Sequence, residues 1–384
     1  MAEPEYKNLP ALLAALDAQG VEGAERYQAV KSYLGFKARD KAIPISGSFE
    51  LTPLCNLDCK MCYVHLQKEQ LRGARLLTVE QWKRLMDQAI DAGMLFAGLT
   101  GGECLTYPGF KELYLYLRGR GVEPAVLTNG SLIDDEMAAF FAAHPPAVVQ
   151  ITLYGSDEDA YERVTGQRMF GRVVAAIRRL KAVGIPLRLA MTPNRYMGQD
   201  GPRLLEVMES LDVPYSINAG LMEPRTETGR AAAAHDTAAA EYVDLYRRQW
   251  THRGLADKIS PYLGALPPPG GQGEQPPGIR CGAGRSTFAI GWTGAMRPCN
   301  TLEACLAAPL ETGFAAAWKK INAWANSYRY PSACVGCAYA ALCPRCAAVL
   351  QHPAGGTCAS PALLAQAQAL LRAGLRRPPE DFCE

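Results

Sequence analysis

The stretch Cys55-Asn56-Leu57-Asp58-Cys59-Lys60-Met61-Cys62 stands directly behind Ser46–Leu51, a short run with strand character, so three thiols gather where a strand opens into a loop. Outward from it, short β-rich runs alternate with longer stretches of helical spacing as far as Tyr215. Leu95–Thr100, Pro124–Thr128, Val148–Leu153, Pro186–Met191 and Pro214–Asn218 read as further strands. Between the first two strands, Val79 to Ala92 puts Trp82, Leu85, Met86 and Ala89 on one helical face, with Thr78 as N-cap and Gly93 just past the end. Repeated strand-then-helix units imply parallel strands joined by right-handed crossovers. Six such units predict an α/β fold, a partial (β/α)6 TIM-like barrel over residues 46–255. The carboxyl ends of its strands are the first place to seek site residues.

Residues 1–45 read as an N-terminal helical extension with Leu9, Leu12, Leu13 and Leu16 on one face, either packed on the barrel or docking a partner. Residues 256–280 hold Pro267-Pro268-Pro269-Gly270-Gly271 and Pro276-Pro277-Gly278, a composition that breaks helix and strand alike and reads as a linker. Residues 281–384, ending in a helix, carry nine of the thirteen cysteines. That density predicts a small region held together by metal more than by an apolar core. The opening residues lack the basic-then-apolar order of a secretory signal, and no apolar run reaches the roughly 18 residues that span a bilayer. A cytoplasmic chain is expected, with its thiols reduced and available as ligands. Lys and Arg total 40 against 38 Asp and Glu, so no field of one sign argues for nucleic acid or an anionic membrane.

Three thiolates over eight residues can wrap one inorganic cluster. A four-iron cubane takes one ligand per iron, so three cysteines leave one iron open to chelate a cofactor. Zinc is the alternative, but structural zinc sites close with four ligands and pair two Cys-x-x-Cys turns. At this point the chain resembles the radical S-adenosylmethionine superfamily, whose signature is Cys-x3-Cys-x2-Cys, here Cys55, Cys59 and Cys62. Thr100-Gly101-Gly102-Glu103, behind the second strand, matches that family's Gly-Gly-Glu motif; paired glycines let backbone approach a ligand, and Glu103 could accept from the cofactor's ammonium group. The resemblance further implies cofactor contacts from Asn129 in Thr128-Asn129-Gly130, from Thr152 and Arg163, and from Thr192 after the fifth strand; each of these could instead cap a helix or close a turn. The family's aromatic residue before the third cysteine is Met61 here, with Tyr63 following, so adenine contact would run through backbone. Cys104, next to Glu103, is a candidate hydrogen-atom donor to a substrate radical, or a packed thiol.

Downstream, Cys281-x12-Gly294-x4-Cys299, then Cys334-x2-Cys337-x5-Cys343-x2-Cys346, and finally Cys358 resemble the SPASM auxiliary-cluster domain of peptide- and protein-modifying enzymes. By that resemblance Cys334, Cys337, Cys343 and Cys358 would hold one auxiliary cluster, and Cys281, Cys299 and Cys346 most of a second, with Cys305 a possible fourth ligand. A two-zinc domain is the alternative. The cofactors implied are S-adenosylmethionine, one radical-initiating 4Fe-4S cluster and two auxiliary iron-sulfur clusters of the 4Fe-4S kind.

The activity implied is reductive cleavage of S-adenosylmethionine to a 5′-deoxyadenosyl radical that abstracts hydrogen from a ribosomal peptide, forming a thioether, C–C or C–O crosslink. The partners implied are a peptide or protein substrate and a reductant such as flavodoxin or ferredoxin. Peptide capture would use a separate peptide-recognition protein or the barrel's own rim, because the segment before the barrel is too short for a recognition domain. Peptide epimerisation is the alternative outcome. Sulfatase maturation is disfavoured, since Asn300 stands where that branch has an acidic residue and a neutral amide takes no proton. A non-catalytic electron-transfer protein is the reading from another class, and the Gly-Gly-Glu turn argues against it.

Overall fold

The structure, a computed structural model, describes residues 8–66, 68–71, 75–218, 239–252, 277–335, 337–340, 342–343, 345–350, 358 and 360–375. In chain order the elements are α1 (Leu9–Ala18), α2 (Gly23–Arg39), β1 (Ser46–Glu50), α3 (Val79–Asp91), β2 (Phe96–Thr100), α4 (Phe110–Gly119), β3 (Glu123–Thr128), α5 (Asp135–Ala143), β4 (Val148–Thr152), α6 (Glu158–Thr165), α7 (Phe170–Ala182), β5 (Leu187–Met191), α8 (Gly201–Ser210), β6 (Tyr215–Ile217) and α9 (Ala239–His252). Then follow β7 (Thr287–Ile290), β8 (Met296–Arg297), α10 (Pro309–Thr312), α11 (Phe314–Ser327) and α12 (Pro361–Arg372). The sheet runs β6-β5-β4-β3-β2-β1-β7-β8, parallel except for the β7–β8 hairpin. All six strands read from the sequence are present, each within a residue or so of its expected limits.

Local chemistry explains the units. Thr78 Oγ1 accepts from Gln81 N while Gln81 Oε1 accepts from Thr78 N, a closed capping box that starts α3, and the helix buries Trp82, Leu85, Met86 and Ala89. On β1 to β5 the outward residues Phe49, Leu99, Val126, Ile151 and Leu189 are wholly buried under the helices. The exposed edge at β6 is closed by one side chain: Gln249 of α9 accepts from Ile217 N and donates to Tyr215 O, occupying backbone groups an unpaired strand would offer to another chain.

Two arrangements were not legible in the sequence. β7 pairs with β1 in parallel, so the sheet runs on across residue 281, where the cysteine-rich region was expected to begin. Phe49 meets both Trp82 and Phe288 edge-on at 6.0 Å, and Phe288 meets Phe314 at 5.1 Å, which binds α3, β1, β7 and α11 into one core. The N-terminal extension is a helical pair in which Leu12 and Leu16 pack on Tyr33, and Tyr27 packs edge-on against Phe96, the first residue of β2. It therefore sits under the end of the sheet remote from the cysteine loop. The Pro/Gly-rich linker falls almost wholly outside the described residues, as does Cys383. No helix among the described residues is long and apolar enough to cross a membrane.

Candidate active site at the strand ends

Alternation along the strands hollows out the inner face. Ser48, Thr100, Leu127, Gln150, Thr152 and Arg188 point opposite to the buried outward set, and every one of them keeps partial solvent access. The barrel thus encloses an open, largely polar chamber. Gln150 and Arg188, side by side in register on β4 and β5, were not singled out from the sequence. The signal was there: one amide in Val148-Val149-Gln150-Ile151-Thr152 and one guanidinium in Leu187-Arg188-Leu189-Ala190-Met191, each alone among apolar neighbours.

The cysteine loop is laid across the top of this chamber. Leu66 N donates to Pro53 O and closes the loop, while Asp58 N and Lys60 N donate to Thr165 O and Val164 O. Those carbonyls belong to the last turn of α6, so the loop satisfies groups the helix leaves unpaired. Cys55 and Cys62 are partly buried and Cys59 is buried. The three sulfurs feel one another: burial, and then the neighbouring thiols, push Cys59 well above the ordinary thiol range, and burial pushes Cys55 up to about 12. Each sulfur also has a donor. Leu57 N and Asn129 Nδ2 reach Cys55 Sγ at 3.4 and 3.6 Å, His65 N reaches Cys62 Sγ at 3.3 Å, and Tyr154 hydrogen-bonds Cys59. Among the described residues no three His, Cys, Asp or Glu side chains meet closely enough to hold a single ion. Thiols that raise one another's pKa in this way can each take a different metal atom of one cluster.

The Gly101-Gly102 turn was expected to admit a ligand, yet what it admits is the chain's own backbone. A Cβ on Gly101 would stand 2.3 Å from Thr52 O, and one on Gly102 2.4 Å from Leu54 O and 2.5 Å from Pro53 O. Gly102 N and Glu103 N donate to Thr52 O and Leu54 O at 2.7 and 2.9 Å. The motif therefore locks the start of the cysteine loop to the end of β2. Glu103 is buried, and burial raises its carboxyl above the usual range. Its Oε1 accepts from Thr128 Oγ1, Leu105 N and Cys104 Sγ, and among the described residues its Oε2 accepts from Asn129 N, one of the two bonds such an oxygen can take.

Two expected roles change. Cys104 is not at the mouth of the site: its sulfur is fully buried and directed to Leu127 O and Glu103, and burial holds it protonated, so it belongs to the core. Asn129 cannot contact ribose or carboxylate through its side chain, because Oδ1 accepts from Ser131 N and Oγ while Nδ2 donates to Asn56 Oδ1 and Cys55 Sγ, which uses its whole capacity. Thr152 faces the chamber; Thr192, after β5, accepts from Asn218 Nδ2 at 2.8 Å and ties the ends of β5 and β6. Met61 is buried in the core, Tyr63 is half-buried, and Arg163 stands exposed on α6, its charge felt by Asp157.

In the C-terminal region, Cys334 is pushed up to about 11 by burial and then by Cys343, Cys358 and Cys337, which places those four thiols together. Cys299 and Cys346 pack against a different small core built on Ile279, Leu302 and Ala325. Cys281 is exposed beside Tyr330, and Cys305 packs in the barrel's main core. A buried thiol with a pKa of about 12 is only about one part in 10⁴ thiolate at pH 8. In the metal-free protein iodoacetamide at pH 8 will therefore modify Cys281 first and Cys55 and Cys104 at least ~100-fold more slowly. Peptide mapping over time reads this out, and rapid labelling of Cys104 would contradict its placement.

Residues 49–211 match the model of the Radical SAM superfamily. Antilisterial bacteriocin subtilosin biosynthesis protein AlbA of Bacillus subtilis is 27% identical over 261 residues, 67% of this chain and 55% of that protein. AdoMet-dependent heme synthase of Nitratidesulfovibrio vulgaris is 25% identical over 332 residues, 80% of this chain and 88% of that protein. Native anSMEcpe with bound AdoMet and Cp18Cys peptide superposes with a TM-score of 0.63 at 14% identity, covering 86% of this chain and 96% of its own, a likeness of fold. The match spans 55% of the length of AlbA and 43% of that of a PqqA peptide cyclase.

Proposed function

Residues 49–211 being a radical SAM domain, we propose that the chain is a radical S-adenosylmethionine enzyme that modifies a ribosomal peptide by an intramolecular crosslink. The observation that carries this reading is the meeting of Cys55, Cys59 and Cys62 at the strand ends, each sulfur with a hydrogen-bond donor, above an open polar chamber. Those three thiols would hold a 4Fe-4S cluster, and when bound it would supply the electron that cleaves S-adenosylmethionine and so generates the hydrogen-abstracting carbon radical. The chain's own residues hold and orient. Gly101 to Glu103 lock the cysteine loop to β2, and Thr152, Thr192, Arg163, Tyr63 and the backbone at Met61 are the candidate contacts to the cofactor. Oε2 of Glu103 keeps one acceptor direction for an ammonium group. Polar inward residues such as Gln150 and Arg188 are available to orient the substrate.

The grouping of Cys334, Cys337, Cys343 and Cys358 supports a first auxiliary cluster in residues 281–384. Cys299 and Cys346 in one small core, with Cys281, support a second, for which Cys305, packed in the main core, is the candidate fourth ligand. The peptide assignment is supported by AlbA's role in bacteriocin biosynthesis and by the peptide bound to anSMEcpe. A flavodoxin or ferredoxin would reduce the cluster in the cytoplasm. A second reading, AdoMet-dependent heme synthesis, is favoured by the heme synthase matching 88% of its own length.

Anaerobic reconstitution with iron, sulfide, dithionite and S-adenosylmethionine will yield 5′-deoxyadenosine, and its absence from a cluster-loaded sample sinks the enzyme reading. Mass spectrometry of peptides encoded beside the gene then decides the product. Loss of two mass units means a crosslink, and unchanged mass with deuterium uptake means epimerisation. Turnover of an added porphyrin with no change in any peptide would favour the second reading.

A further inference from the structure

Asn129 spends both of its Nδ2 hydrogens on the cysteine loop. Its Oδ1 accepts from Ser131 N at 2.9 Å and from Ser131 Oγ at 2.6 Å, which fixes the amide orientation and leaves both Nδ2 hydrogens pointing the other way. One goes to Asn56 Oδ1 at 2.9 Å and the other to Cys55 Sγ at 3.6 Å. Asn56 Nδ2 in turn donates to Ser131 Oγ at 2.7 Å, closing a ring of three polar side chains. The ring is pinned further by Asn129 N donating to Glu103 Oε2 and by Gly130, whose φ of +77° and lack of room for a Cβ beside Ile151 fix the turn. Asn129 is 6% exposed. Its N–H dipole therefore acts on the sulfur without competition from water.

We propose that Asn129 is a positioning residue that sets the reduction potential of the cluster held by Cys55, Cys59 and Cys62, raising it through the Nδ2–H···Sγ bond to Cys55. The inference rests on the proposal that these thiols hold a 4Fe-4S cluster. The physical reason is charge: the reduced cluster carries one more negative charge than the oxidised one, so a fixed donor on a ligand sulfur stabilises the reduced form more. The mobile alternative, a water or a flexible side chain, would have to reorganise on reduction. Here the Ser131–Asn129–Asn56 ring holds the dipole in place beforehand.

The test is an EPR-monitored redox titration of the reconstituted full-length protein, with the cluster in question identified by the change of its signal on adding S-adenosylmethionine. Asn129→Leu removes the donor at similar volume. It will shift the reduction equilibrium at least about tenfold toward the oxidised form, which is 59 mV for one electron. Ser131→Ala, which removes the Oγ bond to Oδ1 but keeps the backbone one and leaves Nδ2 in place, will give a smaller shift of the same sign. An Asn129→Leu protein with full iron content and an unchanged potential overturns the inference. Should that variant fail to assemble, wild-type protein labelled with ¹⁵N in its asparagine side chains decides the matter. Pulsed EPR of the reduced cluster will show a weak ¹⁵N coupling, and its absence overturns the inference. If wild-type protein gives no signal that responds to S-adenosylmethionine, the cluster reading itself has failed, an outcome distinct from a responding signal with an unmoved potential.

Discussion

Cys59→Ala will abolish formation of 5′-deoxyadenosine, lowering it by more than about 10³-fold, equivalent to over ~4 kcal/mol of lost transition-state stabilisation. Cys59 is the most buried of the three thiols in the loop, and burial lifts its pKa well above the ordinary thiol range. Two remaining thiols cannot hold a cubane that needs one protein ligand on each of three irons. Alanine there also leaves Tyr154, partly buried against the core, without the sulfur it bonds. The measurement is product formation together with iron content, which will fall by about four per chain. Cys104→Ala is the matched control. Its thiol is just as buried, but it lies in the core beneath the turn and will leave product formation within about twofold while costing about 1 kcal/mol of stability. Equal losses from the two substitutions would return Cys104 to the chemistry and remove the distinction drawn between them.

Much of the site was legible because its signals are local. A strand followed at once by three closely spaced cysteines, or Thr78 with Gln81 ahead of an apolar helical face, needs only neighbours in sequence to be interpreted. What escaped is what depends on distant partners. That the region after residue 281 donates β7 to the barrel sheet follows from Phe288 meeting Phe49 and Phe314, and no pattern within Thr287–Ile290 states whose edge that strand will join. Asn129 looked like a cofactor contact because a polar residue at a strand end is free until its neighbours are known. Its amide hydrogens go to Asn56 and Cys55, more than 70 residues away in the chain. Gln150 and Arg188 escaped for another reason. Polar residues inside apolar strands mark a chamber only once the outward positions are known to be the covered ones.

The Gly-Gly pair gives the second large effect, and it falls on stability. Gly102→Ala will destabilise the protein by about 3 kcal/mol or more, because the atoms a methyl group would strike are backbone carbonyl oxygens of Pro53 and Leu54 at 2.5 and 2.4 Å. A side chain could swing aside; these oxygens cannot. Leu54 O already accepts from Glu103 N, Pro53 O from Leu66 N, and Thr52 O from Gly102 N. Relief requires separating the ends of β1 and β2, which breaks those bonds and displaces Cys55, one residue further on. Thermal unfolding will show a drop of about 4 °C or more, at roughly 1.2 °C per kcal/mol for a chain of this size, and iron content after reconstitution will fall with it. Gly98→Ala, four residues earlier on β2, is the contrast. Its Cβ would enter ordinary contact with Leu127 Cδ1 at 3.6 Å in the open chamber, so its stability will stay within about 1 kcal/mol of the parent. If Gly102→Ala melts with the parent and loads its iron fully, the turn is not what fixes the cysteine loop. The Gly-Gly motif would then have to be explained by a ligand's approach, as its sequence alone suggested.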